Sequence, residues 1–104
     1  MNTMTFTDAA DSVEALLKIE SYQSGSSEVA AQVLLSAWNS YDFTLPVAEL
    51  ARLDADNYRH AIRVITLRYH GHEPHTVIKN GDKRFMALHD RWVHLKASST
   101  EVAA

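Results

Sequence analysis

Residues 54–69, DADNYRHAIRVITLRY, carry the pattern from which the fold class follows. Large apolar side chains recur there at intervals of four, three and four residues, namely Tyr58, Ile62, Ile65 and Tyr69. This spacing is typical of an amphipathic α-helix, and the aspartate at the start of the stretch is a favoured N-cap residue. We therefore predict a helix over this stretch, with the four apolar side chains facing the core of the protein.

The same helical period recurs along the rest of the chain, and no segment shows the sustained alternation of a β-strand. Gly25 and the serines beside it suit the end of one helix and the start of the next, and Pro46 suits the first turn of another. We predict four further helices, over about residues 7–22, over about residues 27–40, in a short segment after Pro46, and over residues 82–96.

Together these patterns predict an all-α fold, a single small helical bundle of about five helices over residues 7–96. We expect flexible segments at residues 1–6 and 97–104. Short helices take most of their stability from packing, so we expect the two tryptophans, Trp38 and Trp92, near the centre of the core.

The composition excludes several classes of protein. The chain has 104 residues and no cysteine, so it contains neither a disulfide nor a thiolate metal site nor a cysteine nucleophile. Its three glycines are isolated from one another, which excludes the glycine-rich loop that binds phosphate groups. No window approaches the roughly 18 apolar residues of a membrane span, and the first dozen residues lack the pattern of a signal peptide. We predict a cytosolic protein with no membrane partner.

No group of residues in the sequence indicates catalysis, because neither a nucleophile elbow nor a pair of catalytic carboxylates is recognisable. The stretch HGHEPH offers His70, His72 and His75, but nothing in such a loop fixes the geometry that a zinc site needs. We predict that the protein is not an enzyme and that it has no cofactor, no bound metal and no small-molecule substrate. A metal-dependent module built on the three histidines stays open as an alternative.

The net charge of −3 conceals a separation of charge along the chain. Residues 1–57 hold nine acids and two bases, a net charge of −7, whereas residues 58–96 hold eight bases and three acids, a net charge of +5. All six histidines also lie in the second half. Such an asymmetry indicates either a basic contact surface for a partner or two halves that face each other within one fold.

The basic residues of the second half are the candidate contact residues. Several lie away from the apolar positions of their predicted helices and therefore face solvent. If the outer faces of these helices are neighbours, they form one surface that can follow a phosphate backbone or meet an acidic protein patch. If they are not, these charges are solvated or pair with the acids of the first half. The candidate residues for binding nucleic acid or a protein partner are Arg59, Arg63, Arg68, Lys79, Lys83, Arg84 and Arg91.

A series of core and cap residues runs along the chain and comprises Gly25, Ser26, Val29, Ala30, Leu34, Leu35, Trp38, Asn39, Phe43, Thr44, Leu45, Leu50, Asp54, Pro74, Gly81, Phe85 and Trp92. This series resembles an uncharacterised all-helical domain carried by phages, plasmids and integrative elements of proteobacteria. The resemblance spans residues 25–95 and carries over no catalytic or binding residue. It implies a helical fold and a mobile-element context, and the build is similar to that of anti-CRISPR inhibitors of type I systems.

The resemblance and the charge pattern together predict a non-catalytic counter-defence protein of a mobile element. We expect it to inhibit a host type I CRISPR–Cas complex by binding the protein complex or its single-stranded DNA through the basic second half. A DNA-binding accessory regulator of a phage or integrative element is the alternative prediction.

Overall fold

The structure is a computed structural model that describes residues 4–97. Within that range the chain forms four α-helices and three short 3₁₀ segments, and no β-strand. The helices are α1 (Phe6–Glu20), α2 (Gly25–Trp38), α3 (Ala55–Tyr69) and α4 (Gly81–Arg91), and the 3₁₀ segments are Val47–Arg52, Pro74–Val77 and Val93–Leu95. The prediction of a small all-α bundle is confirmed.

Local side-chain hydrogen bonds explain where α1 and α3 begin. The hydroxyl of Thr5 accepts a hydrogen bond from the N–H of Asp8 at 3.0 Å, and the Asp8 carboxylate accepts one from the N–H of Thr5 at 3.1 Å. Asp54 caps α3 by accepting a hydrogen bond from the N–H of Asn57 at 2.8 Å. These caps satisfy backbone donors that have no partner inside their helices.

The core lies where α1, α2 and α3 pack against one another, and α4 packs against α2 and against the segment Pro74–Val77. Phe43 and Phe85 are the largest side chains that are fully buried. Trp38 and Trp92, which we expected at the centre, are only partly buried and pack against the edge of the core.

The inward face of α3 is not the face that its largest apolar side chains predict. The four side chains that we expected in the core are exposed, and α3 instead buries Ala61, Val64 and Leu67. Both sets have helical spacing, and they differ by one residue, or about 100° around the helix. The Oγ of Ser12 in α1 lies 3.0 Å from Nδ1 of His60 in α3, a contact that requires the side of α3 that carries Ala61 and Val64 to face α1.

The last helix is shorter than the sequence predicts, because α4 ends at Arg91 and a 3₁₀ segment follows. Its first residue, Gly81, is required by close packing. A Cβ at this position would lie 1.7 Å from the carbonyl oxygen of His75. Only glycine therefore lets the start of α4 lie directly against the Pro74–Val77 segment.

None of the helices within residues 4–97 combines the length and the apolar character that crossing a membrane requires. Of the two segments predicted to be flexible, residues 1–3 and 98–104 lie outside the described residues. At the described end of the second segment, the N–H of Ala97 donates a hydrogen bond to the carbonyl of Asp42 at 2.6 Å.

Candidate partner-binding surface

The outer face of α3 carries a row of exposed apolar side chains, which we call the α3 stripe: Tyr58, Ile62, Ile65 and Tyr69. Their exposed fractions are 45%, 37%, 39% and 85%, respectively. Six other large apolar side chains are exposed within the described residues, and each lies on a different segment of the protein. Only the α3 stripe is therefore continuous along one helix, and a continuous apolar patch of this kind indicates an interaction surface.

A second row on α3 is basic, and we call it the α3 basic row: Arg59, Arg63 and His70. Its members are exposed and recur on one side of the helix, four and seven residues apart. Arg59 forms an ion pair with Asp56 one turn earlier, whereas Arg63 forms no ion pair within residues 4–97. An exposed ion pair of this kind contributes little to stability, so both arginines are free to meet an acidic partner.

Arg68 lies near the end of α3 and does not join the basic row. Its Nη1 donates a hydrogen bond to the carbonyl of His72 at 3.2 Å, which helps to satisfy the backbone where the helix ends. The side chain is nevertheless exposed and lies on the other side of the α3 stripe from Arg59.

Two of the predicted contact residues, Arg84 and Arg91, are bound within the fold by acids of α1. Arg84 donates from Nη1 and Nη2 to Glu14 at 2.8 and 2.5 Å. Arg91 donates from Nε and Nη2 to Glu20 at 2.7 and 2.8 Å. The hydrogen bonds from Arg84 lower the pKa of Glu14, and those to Glu14 and Glu20 raise the pKa of Arg84 and Arg91. These two arginines hold α4 against α1.

Glu20 is the least exposed carboxylate in this network. Its side chain is 1% exposed, and it also accepts a hydrogen bond from the indole N–H of Trp92 at 2.6 Å. An open groove of about 650 Å³ lies over this contact, lined by residues of α1 and α4. The role of Glu20 was not predicted from the sequence, although an acid on the apolar side of the first helix is the signal of a basic partner inside the fold.

The remaining predicted contact residues, Lys79 and Lys83, are exposed at the start of α4. Nη1 of Arg84 donates to the carbonyl of Lys79 at 3.3 Å, so the lysines lie beside the Arg84–Glu14 ion pair. α1 packs against α3 through one face and binds Arg84 and Arg91 through another. The seven predicted residues therefore form two groups, one on α3 and one near α4, with α1 between them.

The histidines of the predicted loop do not assemble a site. Within the described part of the chain, no three His, Cys, Asp or Glu side chains are grouped closely enough to hold a metal ion. The ring of His72 packs edge-on against Phe6 at 4.9 Å. His75 packs against Phe85, and its Nε2 lies 3.4 Å from Asp82. His72 is exposed whereas His75 is packed in the fold, so the two rings do not converge on one point within residues 4–97.

The contact between Ser12 and His60 is the pair that most resembles catalytic chemistry. A serine nucleophile needs access to substrate as well as a histidine base. Ser12 is wholly buried between α1 and α3, so its hydroxyl does not reach solvent. We assign this hydrogen bond to the packing of the two helices.

The fold and this surface define a small all-α domain that presents an apolar stripe and a basic row on one helix. Residues 10–93 match a family model, and the chain belongs to that family, which is described as a family of unknown function (DUF7673). The matched range includes α2, α3 and α4 and most of α1. No curated protein and no solved structure matches the chain.

Proposed function

We propose that the protein is a non-catalytic binding protein that inhibits a macromolecular partner by covering one of its surfaces through the α3 basic row. One observation carries this proposal. Arg59 and Arg63 share an exposed face of α3, whereas Arg84 and Arg91 are already bound by carboxylates of α1. A partner that meets the α3 basic row must supply negative charge, either as carboxylates of a protein or as phosphates.

The counter-defence role is the form of this function that we propose to test first. In this role the protein comes from a phage or another mobile element, acts in the bacterial cytoplasm and inhibits a host type I CRISPR–Cas complex. Two points support it: the resemblance over residues 25–95, and a basic helix face that suits either an acidic protein surface or single-stranded DNA.

Capture of the complex tests the role of the α3 basic row directly. The tagged protein is used to pull down the complex from cells that express a type I CRISPR–Cas system. We expect Arg59→Glu combined with Arg63→Glu to reduce capture at least tenfold. The matched control, Lys79→Glu combined with Lys83→Glu, makes the same change in net charge near α4 and should capture normally.

All four substituted side chains are exposed, so both double variants should keep the circular dichroism spectrum of the native protein. Equal capture by the two variants would remove the α3 basic row from the contact. No capture by the native protein would exclude the type I complex as the partner.

A DNA-binding accessory regulator is the second candidate, and the spacing of Arg59 and Arg63 favours it, because arginines one turn apart on a helix can contact neighbouring phosphates. Gel shifts with single- and double-stranded DNA at two salt concentrations separate the candidates. Each phosphate contact should lower log K by roughly 0.7 to 0.9 per decade of salt. Sequence-selective binding to duplex DNA would replace the inhibitor proposal, and binding to neither form would place the contact on a protein.

A further inference from the structure

The α3 stripe reads the same in both directions along the helix. Its residue types run Tyr, Ile, Ile, Tyr, and its intervals are four, three and four residues. Alternating intervals of three and four are those of the contact seam between two packed helices. A twofold interface requires one patch that is complementary to itself, and a palindromic seam has this property.

We propose that the α3 stripe binds the α3 stripe of a second copy of the chain, with the two helices antiparallel about a twofold axis. In this arrangement Ile62 packs against Ile65 of the second copy, and Tyr58 packs against Tyr69 of the second copy. Because of the twofold axis, each of these two contacts, or layers, occurs twice in the dimer. The two isoleucine layers lie at the centre, and the two tyrosine layers lie at the ends, where the hydroxyl groups reach water.

The charges beside the stripe are compatible with this pairing. Around the helix, Arg59 and Arg68 flank the stripe on opposite sides. Antiparallel pairing places Arg59 between Thr66 and His70 of the second copy and Arg68 between Asn57 and Ala61 of the second copy, so no arginine faces another. The two helix dipoles also run in opposite directions, which favours antiparallel over parallel packing.

The area of the stripe indicates a weak dimer. From the exposed fractions of the four side chains, each stripe presents roughly 400 Å². Two fully covered stripes bury roughly 800 Å², which is below the roughly 1,200 Å² at the lower limit of stable specific interfaces. We therefore expect weak association, with dimers forming only at micromolar or higher concentrations.

The dimer has a consequence for the α3 basic row. Viewed down the axis of α3, the centre of the α3 stripe lies about 130° around the helix from the buried Val64, and Arg59 lies about 220° around in the same direction. Arg59 is therefore on the side of the α3 stripe that is away from the core. A twofold axis perpendicular to the helix pair puts Arg59 and Arg63 of both copies on the same side of the dimer. If the proposed function is right, the dimer presents twice the number of arginines to an acidic partner.

Sedimentation equilibrium between about 1 and 500 µM tests the self-association. We expect the native protein to pass from monomer to dimer over this range, and Ile62→Glu to raise the dissociation constant at least tenfold. Met86→Glu is the matched control, because Met86 is an exposed apolar side chain on α4, outside the α3 stripe. A native protein that stays monomeric at 500 µM, or an equal effect of Met86→Glu, would overturn the proposal.

Disulfide cross-linking tests the orientation, and the chain is suited to it because it has no cysteine of its own. Tyr58→Cys and Tyr69→Cys change exposed positions, so neither should prevent folding. A mixture of the two variants should form a mixed disulfide on oxidation, whereas each variant alone should not cross-link. Cross-linking within each single variant would indicate parallel packing and contradict the antiparallel arrangement.

The dimer and the proposed function can fail separately. The double variant Arg59→Glu with Arg63→Glu should still dimerise in sedimentation while it loses partner capture. Ile62→Glu should lose dimerisation, so its partner capture shows how much the doubling of the basic row contributes. A monomeric native protein that still captures the complex would refute the dimer alone.

Discussion

Truncation of Arg91 should destabilise the protein more than truncation of its partner Glu20, although Glu20 is by far the more deeply buried. The side chain of Glu20 is 1% exposed and that of Arg91 is 49% exposed. After Arg91→Ala, a buried carboxylate retains only the N–H of Trp92 as a donor. After Glu20→Ala, the half-exposed guanidinium regains water. Arg91→Ala should therefore lower the free energy of unfolding more, because it leaves a buried carboxylate without its charged partner.

The magnitudes follow from the same contacts. We expect Arg91→Ala to lower the free energy of unfolding by about 3 kcal/mol, the lower end for a broken buried pair, because the groove admits water. Glu20→Ala should cost about 1.5 kcal/mol through lost hydrogen bonds and packing. The double variant should cost less than the two single variants combined, because each single change already removes their shared interaction.

Urea unfolding at pH 7, followed by far-ultraviolet circular dichroism, measures these differences without relying on Trp92 as a probe. A matched control is the ion pair between Glu14 and Arg84, whose side chains are 46% and 35% exposed. Alanine at either of these positions should cost less than about 1 kcal/mol, since neither change leaves a buried charge. The reasoning is refuted if Glu20→Ala costs as much as Arg91→Ala, or if the control pair shows the same asymmetry.

Three further predictions concern stability. Gly81→Ala should cost about 3 kcal/mol or more in urea unfolding, because the new Cβ would meet the backbone of His75 at 1.7 Å; a cost below about 1 kcal/mol would contradict this packing. Glu14→Gln should lose about 0.5 kcal/mol at pH 7 and progressively less as the pH falls below 4.5. The hydrogen bonds from Arg84 hold the pKa of Glu14 below 4.5, so the contribution is present above that pH and is lost as the pH falls through the lowered pKa. Gln23→Gly should stabilise the protein by about 0.5 kcal/mol in thermal unfolding, because Gln23 has a φ of 54° that glycine adopts without strain; a lower melting temperature would argue against this.

The positions of the helices could be predicted from the sequence because helical period and caps are local properties. Asp54 starts α3 as predicted, whereas α2 begins at Gly25, two residues before its predicted start, and the left-handed residue after α1 is Gln23. The end of the last helix could not be predicted in the same way. Residues after Arg91 keep a helical pattern, but the N–H of Trp92 donates to the carbonyls of both Leu88 and His89, and the chain continues as a 3₁₀ turn.

The inward face of α3 could not be predicted from this helix alone, because two stripes one residue apart share the same period. Size favoured Ile62 and Ile65 for the core, yet Ala61 and Val64 occupy it. The choice depends on α1 and α2, which both pack against α3, and on the contact of His60 with α1. A helix that packs against two neighbours at once needs small residues where they meet. The larger apolar residues are then left on the outside, where they become the candidate interface.

The separation of charge along the chain has two physical causes. Some of the basic residues form ion pairs with acids of α1 inside the fold, and others are exposed on α3. Glu20 lies among the apolar positions of α1, where a buried carboxylate needs hydrogen-bond donors, and Arg91 supplies two of them. Some of the acids of the first half and bases of the second half therefore neutralise each other inside the fold, between α1 and α4. Within residues 4–97, the arginines of α3 form no ion pair with α1. Arg63 only attracts Asp8 of α1 from a distance, and helps to lower its pKa. An exposed attraction of this kind contributes little to stability, so substituting Arg63 should change partner binding and leave the free energy of unfolding nearly unchanged.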